Sequence, residues 1–259
     1  MVKRRQKAEP KTTSFHRMVP NMMTIAALCT GMSAMQFAIA ERWEAAILAI
    51  VVAAFLDACD GAVARMLKAT SKLGAELDTL SDFLCFGVAP AMVLHLWSLH
   101  VVGRWGWIIA LVFAVAMALR LARFNAAMKT DEKSSSGYFT GVPAPTAAGM
   151  SILPMIVTFQ LEAEHHVEYL EMLQSPMVVG PWMLLFAGLM VSNVPTISTK
   201  QINIPPKLVI PALGGFGLFF AGLINAPWPT LTLMGVVYGL LLPITSFMAW
   251  RGENKKNDS

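Results

Sequence analysis

Apolar runs, each near the length a helix needs to cross a bilayer, recur along the chain between short polar breaks. A hydrocarbon layer about 30 Å thick takes roughly 20 helical residues, and its interior offers no partner to a backbone amide outside a helix or closed barrel. The runs at about 19–40, 45–66, 74–98, 105–128, 145–163, 176–195, 207–226 and 229–250 therefore predict an all-α fold, a polytopic membrane bundle of about eight helices. Composition agrees: 56% of the 259 residues are hydrophobic and 14% charged, against about a quarter charged in a soluble domain. The net charge of +4 is spread along the chain, and no nucleic-acid partner is expected.

Lys and Arg set the orientation. With the N-terminus inside, every Lys and Arg except Arg42 and Arg104 falls on the cytoplasmic side, and the acidic loop 162–171 (EAEHHVEYLE) faces out. The positive-inside rule then favours eight spans with both termini cytoplasmic. The basic start, residues 1–18, reads as a cytoplasmic segment with a short interfacial helix from Ser14 to Met18, and no cleavable signal peptide is evident.

Against this apolar background stand four aspartates in two pairs, Asp57 with Asp60 and Asp78 with Asp82. Spacings of three and four put each pair on one helix face. Left unpaired at helix centres, four aspartates would cost about 10 kcal/mol. Divalent cations offset that cost, because clustered carboxylates are hard oxygen ligands suited to Mg²⁺ or Mn²⁺. If the chain turns around residues 66–73, both pairs reach matching depths of roughly 6–12 Å on antiparallel helices. Four carboxylates then converge on a two-metal site near the cytoplasmic end.

Asp57, Asp60, Gly61, Ala64, Arg65, Gly74, Asp78 and Asp82 stand at the spacing D-x2-DG-x2-AR-x8-G-x3-D-x3-D. This pattern resembles, without departure, the signature of the CDP-alcohol phosphatidyltransferase family. The resemblance implies two bound metal ions on Asp57, Asp60, Asp78 and Asp82. It implies a CDP-diacylglycerol site at Asp57, Gly61, Ala64, Arg65, Gly74 and Asp78, and Asp82 as catalytic base. Three weaker blocks, LRLARFN, YFTGVPAPTAAG and SNVPT, together with SDFLCFGVAPA after the motif, resemble the serine-accepting branch of the same family. That branch implies transfer of a phosphatidyl group from CDP-diacylglycerol to the L-serine hydroxyl with release of CMP, in a prokaryotic cell membrane, by a homodimer. The resemblance covers about 19–200, a six-helix core, and leaves 201–259 as two additional helices and a basic tail.

Arg120 and Arg123 lie three apart at the cytoplasmic end of the fourth run. On one face they would form a clamp for a serine carboxylate or a lipid phosphate; as snorkelling anchors they would do neither. Pro20 suits a first helical turn, and Asn21 beside it either caps or reaches a ligand. The stretch Lys129 to Gly141 reads as a loop, Gly137 to Pro145 as a structural turn, and Ser192 to Thr196 as a helix end. Cys29, Cys59 and Cys85 read as free thiols, and His165 and His166 as surface residues.

Two other readings remain open at the level of residues. One is a different acceptor within the family: glycerol 3-phosphate, an inositol phosphate or choline. The other is a cation or proton transporter, in which intramembrane acids line an ion path.

Overall fold

The computed structural model of the chain describes residues 14–67, 69, 71–129, 138–140, 142–192, 195–197 and 209–241. The fold is helical. α1 (Ser14–Ile39) and α2 (Trp43–Met66) form an antiparallel hairpin. Small residues fill the buried positions of both, among them Ala27, Ala34 and Ala38 on α1 and Ala46, Ala49 and Ala53 on α2. Small side chains let helix backbones approach closely. The expected interfacial turn at Ser14 to Met18 is not separate; it is the start of α1.

Ser71 starts α3 (Lys72–Asp82) by accepting the Gly74 amide at 3.0 Å, an N-cap. α3 runs directly into a π-helical turn, Phe83–Val88, and then α4 (Ala89–Trp97). Pro90 explains the wider turn: it has no N–H to return, and its ring crowds the preceding turn. The three pieces make one span, Lys72–Trp97. A short 3₁₀ turn, Leu99–Val102, leads to α5 (Arg104–Lys129). The approach there is close enough to require Gly106, where a Cβ would collide with the Leu99 carbonyl oxygen at 1.9 Å.

The fifth run is broken. α6 (Ala144–Ser151) and α7 (Leu153–Ala163) meet at 44°. Pro154 opens α7 and cannot donate to the Met150 carbonyl four residues back. That carbonyl accepts instead from the Trp182 indole at 2.7 Å, so the bend is paired into its neighbour. Trp182 belongs to α9 (Pro176–Val191), which follows the short α8 (Leu170–Gln174). α10 (Val209–Asn225) and α11 (227–241) complete the described chain.

The expected all-helical architecture holds, and two details of it stand out. Among the described residues, four helical stretches are individually long and apolar enough to cross a membrane, Met18–Ile39, Trp43–Met66, Lys72–Trp97 and Arg104–Ala127, and the bent pair α6–α7 makes up to five. α9 is apolar but stops at 16 residues. One short strand pair is added to the helices among the described residues. β1 (Tyr138–Thr140) and β2 (Pro195–Ile197) pair antiparallel, with Phe139 opposite Thr196. These segments read as loop and helix end in the sequence. Their aromatic and β-branched residues favour extended backbone, and pairing satisfies amides that leave the helices.

The buried core lies between α2, the third span, α5, α6–α7 and α9, around Ile47, Phe86, Phe113, Met117, Met155 and Met183. Cys85 is part of it, whereas Cys29 is exposed and Cys59 half-buried; all three are free thiols.

Candidate active site

The last turns of α2 and the middle of α3 contribute to one site. Asp57, Asp60 and Asp78 thereby each present a carboxylate oxygen, all within 4.8 Å of one another. Three carboxylates this close repel unless a cation lies among them, and oxygen-only donors suit a hard divalent ion. The donor set therefore fits the expected metal chemistry.

Asp82 stands apart from this triad. Its carboxyl is in hydrogen-bonding contact with that of Asp57, and its Oδ1 is buried with no hydrogen-bond partner. Of the four expected ligands, three converge and the fourth, Asp82, lies beside Asp57. One helical turn separates Asp78 from Asp82, which carries Asp82 deeper into the span.

Asp60 is buried, and Thr24 of α1 donates to its Oδ2 at 2.5 Å. Distances in this range characterise hydroxyls bonded to an ionised carboxylate. The same hydroxyl is 3.1 Å from the Pro20 carbonyl. Further along, Ser81 Oγ donates to the Thr24 carbonyl at 3.4 Å, and Cys85 Sγ to the Ala27 carbonyl at 3.3 Å. A Cβ at Gly31 would lie 2.6 Å from that sulfur. α1 is thus keyed against the helix that carries Asp78 and Asp82.

A pocket of about 190 Å³ opens beside the triad. Of the residues the family resemblance assigned to the CDP-diacylglycerol site, Gly61, Ala64, Arg65, Gly74 and Asp78 line it, together with Asp60. Asp57 and Asp82 do not. Pro20, Asn21 and Thr24 supply the opposing wall from α1. Gly74 is there because of Asn21: a Cβ would lie 2.8 Å from Asn21 Oδ1 and 3.0 Å from Ser71 Oγ.

The arginine pair divides. Arg123 is exposed, and its Nη1 donates at 3.0 Å to the carbonyl of Val191, the last residue of α9. A cation at a helix C-terminus pairs an orphan carbonyl and meets the negative end of the dipole. Arg120 is half-buried, its Nε has no hydrogen-bond partner, and it lies within electrostatic range of Asp82 and Tyr238. Five residues on, Asn125 Nδ2 donates to Thr79 Oγ1 at 3.0 Å, tying α5 to α3. His165 and His166 are exposed, as expected. Asn193 lies outside the described residues.

Sequence reasoning missed Thr24, Ser71 and Tyr238. Thr24 was within reach: it falls three residues after Asn21, on the face already suspected of meeting a ligand. Ser71 carried an N-cap signal before a helix start. Tyr238 carried none, because its neighbours come from remote segments.

Known proteins resemble the chain along most of its length. A family model described as CDP-alcohol phosphatidyltransferase matches residues 17–192, and one described as CDP-alcohol phosphatidyltransferase 2 matches residues 207–243. The chain is 32% identical over 231 residues to the CDP-diacylglycerol–serine O-phosphatidyltransferase of Mycobacterium bovis, covering 88% of this chain and 77% of that one. It is 32% identical over 224 residues to the enzyme of the same name from Helicobacter pylori, covering 86% and 89%. With the Bacillus subtilis enzyme of that name it shares 35% identity over 141 residues, 54% of this chain and 76% of the relative.

Proposed function

The chain belongs to the CDP-alcohol phosphatidyltransferase family, and from that premise we propose that it transfers the phosphatidyl group of CDP-diacylglycerol to the hydroxyl of L-serine, releasing CMP. The observation that carries the reading is the convergence of Asp57, Asp60 and Asp78 beside a pocket walled by the family's small residues and Arg65. The names of the relatives supply serine as acceptor.

The residues take the following roles. Asp57, Asp60, Asp78 and Asp82 hold two divalent ions, Mg²⁺ or Mn²⁺. When bound, such ions neutralise the pyrophosphate and stabilise charge on departing CMP. Gly61, Ala64 and Gly74 leave room for the nucleotide between α1, α2 and α3, and Arg65 contacts a phosphate. Asp82 accepts the serine hydroxyl proton as the serine oxygen attacks the phosphatidyl phosphorus. The bond from that phosphorus to the bridging oxygen breaks, and CMP carries the charge away. Arg120 receives the serine carboxylate, because a buried carboxylate without a cation is costly. Arg123, bonded to the end of α9, fits the structural role better.

The distribution of Lys and Arg supports eight spans with both termini in the cytoplasm and the site opening to that side of a prokaryotic cell membrane. The acyl chains then remain in the bilayer while serine arrives from water. Residues 19–200 form the six-helix core, 201–259 the additional pair and tail, and the family resemblance suggests a homodimer. The ion-transport alternative lost its basis with the family assignment. The test of acceptor is a screen of the purified protein with CDP-diacylglycerol and serine, glycerol 3-phosphate, inositol phosphate or choline. Serine is expected to give by far the fastest CMP release; preference for another acceptor would move the chain to another branch.

A further inference from the structure

α11 is docked closely on the bent fifth span. A Cβ at Gly235 would lie 2.4 Å from Leu153 Cδ1, and one at Gly239 would lie 3.3 Å from Met150 Cε. Leu231, one turn earlier on the same face, is buried. At the near end Trp228 packs on Phe159, ring centroids 4.8 Å apart. This seam delivers the half-buried Tyr238 to the inside of the bundle, where its hydroxyl lies beside the side chain of Thr146 on α6. Arg120 of α5 lies within electrostatic range of Tyr238 and of Asp82.

Four elements therefore contribute one polar cluster, and two of its atoms are unsatisfied. Arg120 Nε and Asp82 Oδ1 are both buried without a hydrogen-bond partner. Buried polar groups are seldom left so unless a ligand or water completes them. Neither Asp82 nor Arg120 lines the pocket bounded by Gly61 and Gly74, so the cluster is a second polar region, reached from the aspartates through Asp82. A small molecule with a hydroxyl for Asp82 and a carboxylate for Arg120 would satisfy both atoms. One guanidinium, one carboxylate and two neutral hydroxyls suit a zwitterion. A phosphate dianion would meet Asp82 as a like charge.

We infer that Tyr238 and Thr146 complete the acceptor subsite beside Arg120, and that α11 is thereby part of the site's specificity rather than an appendage. The inference rests on the serine reading above. The Tyr238 hydroxyl, beside Thr146, fixes the direction in which Arg120 presents its donors and adds a neutral donor for the carboxylate. It would favour a carboxylate-bearing acceptor without repelling its ammonium.

The test compares wild type with Tyr238→Phe and Thr146→Val in detergent, by CMP release with L-serine or L-serine methyl ester. Tyr238→Phe keeps the ring and its packing. It is expected to raise the serine KM roughly 3- to 15-fold, the worth of a hydrogen bond. The KM for CDP-diacylglycerol and the Tm should stay as in wild type, and the preference for serine over its methyl ester should fall. Thr146→Val should act in the same direction. An unchanged serine KM in an otherwise active Tyr238→Phe enzyme overturns the inference. So does a rise in both KM values with a lowered Tm, which would mark Tyr238 as packing alone. Wild type that releases CMP with another acceptor but not with serine sinks the serine reading itself, and the subsite with it.

Discussion

Thr24 on α1 donates its hydroxyl to Asp60 on α2 at 2.5 Å, with both side chains buried. One acid of the triad is thus oriented by a residue outside the aspartate motif. The bond occupies Oδ2 and fixes the carboxylate plane, so the remaining oxygen valences keep a defined direction. Outer partners of this kind typically contribute 10- to 100-fold to metal affinity or activity. Thr24→Val, which keeps the shape and removes the hydroxyl, is expected to weaken Mn²⁺ binding by about 10-fold, measured by calorimetry without lipid substrate. Thr24→Ser should restore most of it. Equal Mn²⁺ affinity in all three proteins would mean that α1 only packs there.

Asp82 and the triad should separate in a second experiment. Asp82→Asn removes the base but leaves Asp57, Asp60 and Asp78, which already converge within 4.8 Å. Turnover is expected to fall roughly 10²–10⁴-fold, while CDP-diacylglycerol binding in the presence of Mn²⁺ falls far less. If binding and turnover collapse together, Asp82 is chiefly a ligand.

The aspartate site was legible because the energetic conflict is local: four acids in apolar surroundings demand a partner, and their spacing gives the faces. The helix order was legible for the same reason, since apolar runs have one outcome in hydrocarbon. Long-range pairing was not. Nothing within Tyr138–Thr140 names Pro195–Ile197 as its partner. Pro154 falls inside a run that reads as one unbroken span, and only packing shows that Trp182 takes the freed Met150 carbonyl. Arg120 and Arg123, three residues apart, look equivalent in sequence; they part because α9 ends beside one and the buried cluster lies beside the other.

That division can be measured. Arg120→Ala is expected to raise the serine KM about 10- to 150-fold, the range for a charge-assisted hydrogen bond, with the CDP-diacylglycerol KM little changed. Arg123→Ala removes a C-terminal partner of α9 and should lower Tm modestly, by the equivalent of about 1 kcal/mol, leaving the serine KM near wild type. The opposite assignment of effects would return Arg120 to the role of an anchor.

Gly74 tests the narrowness of the pocket. A methyl there would lie 2.8 Å from Asn21 Oδ1 and 3.0 Å from Ser71 Oγ, forcing apart the α1 wall and the N-cap of α3. Gly74→Ala is expected to lose CDP-diacylglycerol affinity several-fold and to lower Tm, as overpacking by one methyl commonly costs about 1–3 kcal/mol. Wild-type affinity and Tm in this variant would show that the wall gives way freely.

The most direct measurement is the reaction itself: purified protein, CDP-diacylglycerol and isotopically labelled L-serine in detergent, with CMP and labelled lipid quantified together. The expected result is CMP and phosphatidylserine in equal amounts, abolished by EDTA and restored by Mg²⁺ or Mn²⁺. CMP release that ignores serine, or labelled lipid formed undiminished in EDTA, would contradict an Asp-held metal site that passes the phosphatidyl group to serine.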